Sequence, residues 1–148
     1  MSGISNHYDS LVAVKAVIDG LSLSGLTGGC VIQEVSEYQD GQNTLPFVSV
    51  SPYGPEKLEN EFNDRDGVYY PILVAIIAKP DVNSLETRLG WRQKMRRNLN
   101  NHDLGVGSGA SYNATVEPGN VIEPKVYYAR NGFVSGFIVR VWCQELRK

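Results

Sequence analysis

Leu11, Val14, Ile18 and Leu21 recur at three- to four-residue spacing within HYDSLVAVKAVIDG. That spacing puts them on one face of an amphipathic helix of about four turns. Ser5 or Asn6 can cap its start, and Gly20 sits where a helix should stop. SLSGLTGG follows as a loop. GGCVIQEVSEY then reads as a short strand rich in β-branched residues, QDGQNT as a polar turn, and LPFVSVSP as a second strand through Phe47, Val48 and Val50. A hairpin between the two is expected. YGPEKLENEFNDRDG is charged and rich in breakers, and reads as a flexible connection or one poor helical turn. VYYPILVAIIA has apolar residues in both parities, the pattern of a central strand covered on both faces. Pro71 within it removes one ladder donor.

KPDVNS ends that strand, and Asn83 with Glu86 three residues later forms a capping box for a helix running to about Asn101. NHDLGVGSGAS is a Gly-rich loop, YNATVEP a strand, and Pro118-Gly119 a break. KVYYA and FVSGFIVRVWCQEL read as strands, with Asn131-Gly132 a turn or loop corner between them. The predicted order is α-β-β-β-α-β-β(-β). The fold class is α+β: one mainly antiparallel sheet packed with two helices, in a single domain over 1–148.

The second helix, LETRLGWRQKMRRNLNN, is unusual. Leu85, Leu89, Trp91, Met95 and Leu99 share one broad side, and Arg88, Arg92 and Arg96 run down that same side at i, i+4, i+8; Lys94 and Arg97 point elsewhere. Burying an arginine in a monomer's core costs several kcal/mol unless it is paired, by rough estimate. Three readings follow. The stems lie on apolar surface while the heads reach water; or the guanidinium groups meet carboxylates of a neighbouring subunit; or the row faces nucleic-acid phosphates. For the second reading, Glu56, Glu59 and Glu61 are the expected partners. A basic helix meeting an acidic segment on the next copy makes a head-to-tail contact, the kind that closes into rings.

Composition narrows the field. At 148 residues the chain can bury a core without staples, and its formal net charge of −2 argues against general attraction to nucleic acid. Cys30 and Cys143 lie far apart in apolar runs and read as reduced and buried. MSGISNHYDS lacks the basic and apolar regions of a signal peptide, and the apolar run 72–78 is too short to span a bilayer. A soluble, intracellular protein is expected, with no membrane association; the sequon Asn113-Ala114-Thr115 is then idle.

Catalytic motifs are weak. Gly105-Val106-Gly107-Ser108-Gly109-Ala110 matches G-x-G-x-x-A, but it follows a helix and precedes a strand, the reverse of a dinucleotide-binding turn. His102-Asp103 has no further histidine nearby to complete a metal site, and reads as a solvated helix end. Glu56, Glu59, Glu61, Asp64 and Asp66 lie in a segment too irregular for paired acid–base carboxylates, which need rigid placement. No cofactor or metal is expected, and no enzymatic activity.

The layout resembles the tail terminator, or tail-completion, proteins of long-tailed bacteriophages, and the related neck and minor-tail proteins. The resemblance rests on three stretches: CVIQEV and LPFVSVSP after an N-terminal helix; VYYPILVAIIAKPDVNSLETRLGWRQKMRRNL, with its Trp91-Arg92 pair; and FVSGFIVRVWCQELRK. It implies a small subunit that forms a homo-oligomeric ring, typically a hexamer, at the head-proximal end of the tail. Such a ring ends tube polymerisation and docks to the head. Its partners would be itself, the tail tube protein and head–tail connector proteins, with DNA only passing through the lumen. The protein would be made in the bacterial host cytoplasm and reside in the virion. The alternative is a nucleic-acid-binding module using the basic helix 84–101, through Arg88, Arg92, Lys94, Arg96 and Arg97. A small enzyme built on His102, Asp103 and the glycine loop is a third reading.

Overall fold

The computed structural model describes residues 5–39, 41–62, 65–80, 83–104, 113–125 and 132–146. Helix α1 spans Asn6–Gly20, and the Ser5 side chain caps it by accepting from the Tyr8 N–H. Strands β1 (Cys30–Ile32), β2 (Phe47–Pro52), β3 (Lys57–Phe62) and β4 (Arg65–Ala78) follow. After helix α2 (Leu85–Leu99) come β5 (His102–Asp103), β6 (Asn113–Glu117) and β7 (Phe133–Leu146). One sheet has the order β1-β2-β4-β7-β6-β5, and β3 pairs with β4 beyond the end of β2. Among the described residues the class is α+β, with α1 and α2 on a mainly antiparallel sheet in the expected order. Within that order β3 and β5 are short strands beyond those expected.

The centre is the pair β4 and β7, antiparallel along their whole length from Arg65 opposite Leu146 to Ala78 opposite Phe133. Val74, Ile76, Phe137 and Val139 on one face of this pair are fully buried, together with Val48 and Val50 of β2. That face is covered by α1, through Leu11, Val14 and Ile18, and by α2, through Trp91, Met95 and Leu99. Pro71 is accommodated at a gap. Its carbonyl accepts from Tyr53 N–H at 3.1 Å, so its missing N–H also faces that side. There β2 ends opposite Ile72 and β3 begins opposite Tyr69. No ladder bond is lost because neither strand reaches this position.

Four local expectations are corrected. β1 and β2 do not form a hairpin; they run parallel, Cys30 opposite Val48. The connection 33–46 is too long for a tight turn. It folds on itself, the Asn43 carboxamide oxygen accepting from the Gln39 N–H at 2.8 Å. It then returns β2 in the same direction as β1. The charged segment after Pro55 is neither flexible connection nor helix, but the edge strand β3. Edge strands tolerate charge because only one ladder needs satisfying. The cap of α2 is Ser84 rather than Asn83, accepting from Thr87 N–H at 3.1 Å. His102-Asp103 is a short strand paired with Asn113 and Ala114, not a free helix end. The expected strand KVYYA and the Gly-rich loop fall largely or wholly outside the described residues.

Cys30 and Cys143 are both free and buried. Burial is the main cause that pushes each thiol from its ordinary 9.0 up to about 12; the carboxylate of Asp19 adds to the shift at Cys30, while a hydrogen bond with Ser10 opposes it at Cys143. The unfolded thiols therefore ionise first. Stability from this source is fully present below about pH 9 and is lost as pH rises toward about 12. The urea midpoint is expected to fall over that window, and a flat profile there would contradict the assignment.

Candidate subunit interface

Four residues turn an α-helix by about 400°, which is about 40° beyond a full turn. A row of arginines at i, i+4, i+8 therefore winds across the helix surface. Arg88 and Arg92 are inside, at 5% and 8% exposure. Arg96 has turned out to the exposed side.

The two inner guanidinium groups are satisfied within the chain. Arg88 donates from Nε to the Asn83 carbonyl at 3.2 Å and from Nη2 to the Pro80 carbonyl at 2.9 Å. Its Cζ lies 4.3 Å from the centre of the Phe133 ring. Arg92 donates from Nη1 to the Ser135 hydroxyl at 2.9 Å and the Gly136 carbonyl at 2.8 Å, and from Nη2 to the Gly119 carbonyl at 3.2 Å. The Phe137 ring centre is 5.5 Å from its Cζ. Among the described residues neither arginine pairs with a carboxylate; neutral oxygens and aromatic faces hold the charge instead. Burial, and secondarily the like charge of Arg96, lower the pKa of Arg92 from its ordinary value. The arginine keeps its proton throughout the ordinary pH range. Arg88 and Arg92 thus lie within the fold, neither snorkelling nor open to phosphate. Of the row, Arg96 is the member presented outward, beside exposed Lys94 and Arg97.

The acidic residues form an arm. Glu56 is exposed just before β3, Glu59 is half-buried on β3, and Glu61 belongs to the same strand. Glu59 lies opposite Gly67, on the sheet face turned away from the helices, since its neighbour Leu58 pairs with core residue Val68. Lys57 lies 3.3 Å from the Glu59 carboxylate and 5.7 Å from the centre of the Tyr69 ring. Leu58 is 63% exposed on the other face of β3. Within one chain, then, the arm and the outward end of α2 carry opposite charge on different elements.

The sheet face away from the helices is the part that residue patterns pointed to least. Phe47, Ser49, Ala75 and Ile77 on it are buried, while Leu73, Val134 and Ile138 are half-buried. A groove of about 400 Å³ runs over Leu73, Ala75, Val134 and Ile138, with Tyr53, Ser36, Asn120 and Glu123 at its rim. A second of about 420 Å³ adjoins it through Ser36 and Val134, and is lined by Glu37, Tyr38, Ile77 and Lys79. Tyr53 and Tyr38 are 48% and 43% exposed. Arg140 and Glu117 form an ion pair on the same face. The apolar residues at both parities of β4 carried the signal for a covered second face. Among the described residues that cover is partial.

Groups suited to catalysis are dispersed or engaged. His102 and Asp103 are exposed on β5. His7 stacks on Tyr70 with ring centres 4.9 Å apart, and its Nε2 lies 3.1 Å from the Pro71 carbonyl. The Glu145 carboxylate accepts from the Tyr70 hydroxyl and from the Asn6 carboxamide, the latter at 2.5 Å. Among the described residues no three His, Cys, Asp or Glu side chains gather as a metal site. Among the described residues, too, no helix is long and apolar enough to cross a membrane.

No family model matches this chain, and no curated protein does. Among solved structures, a chain of the virion of the native gene transfer agent (GTA) particle superposes with a TM-score of 0.52 at 15% sequence identity. The match covers 93% of this chain and 94% of that chain. The similarity is therefore one of whole-chain fold, shared with a chain of a virion particle.

Proposed function

We propose that this protein is a structural subunit of a phage-like virion, and that it assembles as a ring at the head-proximal end of the tail. The observation that carries the reading is the superposition on a virion chain along nearly the full length of both chains. The ring is a homo-oligomer, typically a hexamer. It ends polymerisation of the tail tube and docks to connector proteins of the head or neck, and DNA only passes through its lumen. The protein acts by surface complementarity and needs no reaction centre or cofactor. It is made in the host cytoplasm and resides in the particle.

In this reading the subunit contact joins the outward end of α2 to the acidic arm of the next copy. Arg96 supplies the exposed charge, and Glu56, Glu59 and Glu61 lie opposite. Arg88 and Arg92 contribute by holding the helix on the sheet, so the arginine arrives in a fixed place. Light scattering over a concentration and salt series is expected to give a salt-sensitive species of ring size. Arg96→Glu should weaken assembly at least tenfold, about 1.4 kcal/mol, while leaving the dissociated subunit folded, with an unchanged circular dichroism spectrum. A charge on a solvated rim would have a smaller effect, so an unchanged oligomer would remove Arg96 from the interface.

A nucleic-acid-binding module is the second reading. Exposed Lys94, Arg96 and Arg97 favour it. With Arg88 and Arg92 enclosed, its five-residue basic surface is reduced to three. Steeply salt-dependent binding of duplex DNA by the isolated protein would favour it over the ring.

A further inference from the structure

We propose that the groove on the open face of the sheet is the seat for a second copy of this chain, which inserts the flank of α2 bearing Leu85, Leu89 and Arg96. The proposal rests on the ring reading and names the central surface of its contact. At about 100° per residue, Leu85, Leu89 and Arg96 fall within about 40° of one another. Leu85 is 48% exposed and Leu89 half-buried. This flank faces away from α1. On the other flank Trp91 donates to the Ser24 carbonyl at 2.9 Å and Lys94 to the Leu21 carbonyl at 3.2 Å, which ties that side to the end of α1 and its loop.

The two surfaces are complementary in kind. The groove has an apolar floor of Leu73, Val134 and Ile138 for the leucines, with Tyr53 and Tyr38 as exposed aromatic walls. Its charged lining is two acids and a base, Glu37, Glu123 and Lys79. Arg96 is the exposed charge on the α2 flank itself. Seated there, the flank brings Arg96 to a border with more acid than base, and water leaves apolar surface on both partners. The α2 flank and the groove lie on different sides of the sheet. A contact between unlike patches is head-to-tail, and it repeats from copy to copy until it closes. Glu59, on the same sheet face as the groove, extends the acidic border toward the arm.

The test is cross-linking of the double variant Tyr53→Cys, Leu85→Cys with a short bismaleimide. Cys30 and Cys143 are buried, so the introduced thiols are the reactive ones. Head-to-tail seating predicts a ladder of covalent species rising from dimer toward ring size, absent from either single variant. The proposal is overturned if light scattering finds an assembled protein while the double variant yields no product or dimers alone; the ring reading then survives with another contact. A protein monomeric at every concentration, with no cross-linked species, overturns both.

Discussion

Replacing Arg92 with alanine is expected to cost about 2–3 kcal/mol and to lower the thermal midpoint by roughly 5–10 °C for a chain of this size. Three acceptors lose their donor at once: the Ser135 hydroxyl and the carbonyls of Gly136 and Gly119. A cavity opens beside Phe137, where the guanidinium had lain 5.5 Å from the ring centre. The effect is larger than that of an exposed arginine because the Ser135 hydroxyl is too deep to recover water, although the Gly119 and Gly136 carbonyls border the open groove. Arg92→Lys should restore only part of the loss, since one ammonium cannot reproduce the planar fork that reaches β7 and Gly119 together. Urea denaturation of the three proteins checks this. A loss below about 1 kcal/mol for the alanine variant would mean that these hydrogen bonds are replaced by solvent.

The second large effect is expected at Gly28. A β-carbon there would lie 1.9 Å from the Thr44 carbonyl oxygen and 2.7 Å from the Phe47 β-carbon. Both obstacles belong to the chain entering β2, which Gly28 already contacts by donating to the Pro46 carbonyl at 2.8 Å. Gly28→Ala should therefore cost about 3 kcal/mol or more. Gly29→Ala is the control. Its added carbon meets nothing within 4 Å, but its φ of +65° penalises any side chain, by about 1–2 kcal/mol. If the two variants unfold at the same urea concentration, the close crossing at Gly28 is not what holds β1 beside β2.

These two sites also mark what the sequence disclosed and what it did not. Periodicity was enough for α1, for β4 and β7, and for the α+β class, because each buries a regular face. Strand β3 was hidden because LENE carries more charge than apolar surface, the usual composition of an edge. The parallel pairing of β1 with β2 has no local signature; it depends on a crossing near Gly28 that only tertiary structure reveals. The arginine row was visible, and its 40° advance per step already separates Arg96 from Arg88. Its interior partners were not, since the oxygens that hold Arg92 come from residues 27 to 44 positions further along the chain. A sequence window shows a charge on an apolar face but not the distant carbonyls that receive it. The open groove was missed for a related reason: apolar residues at both parities suggest cover on two sides without saying how complete it is.

The pairing of β4 with β7 bears on how this chain comes to be folded during its synthesis. β4 precedes α2, yet its partner on the inner side of the sheet is the last strand in chain order, with Ala78 opposite Phe133 and Arg65 opposite Leu146. Closing so long a loop is entropically slow, and local contacts cannot substitute for it. While the nascent chain grows, Ile72, Val74 and Ile76 have emerged with β2 available on one edge and no strand on the other. Until β7 is made, the early segments expose apolar surface that the finished sheet covers. Only subunits translated through β7 have a centre to their sheet, so a prematurely terminated chain would be withheld from any assembly the finished protein enters.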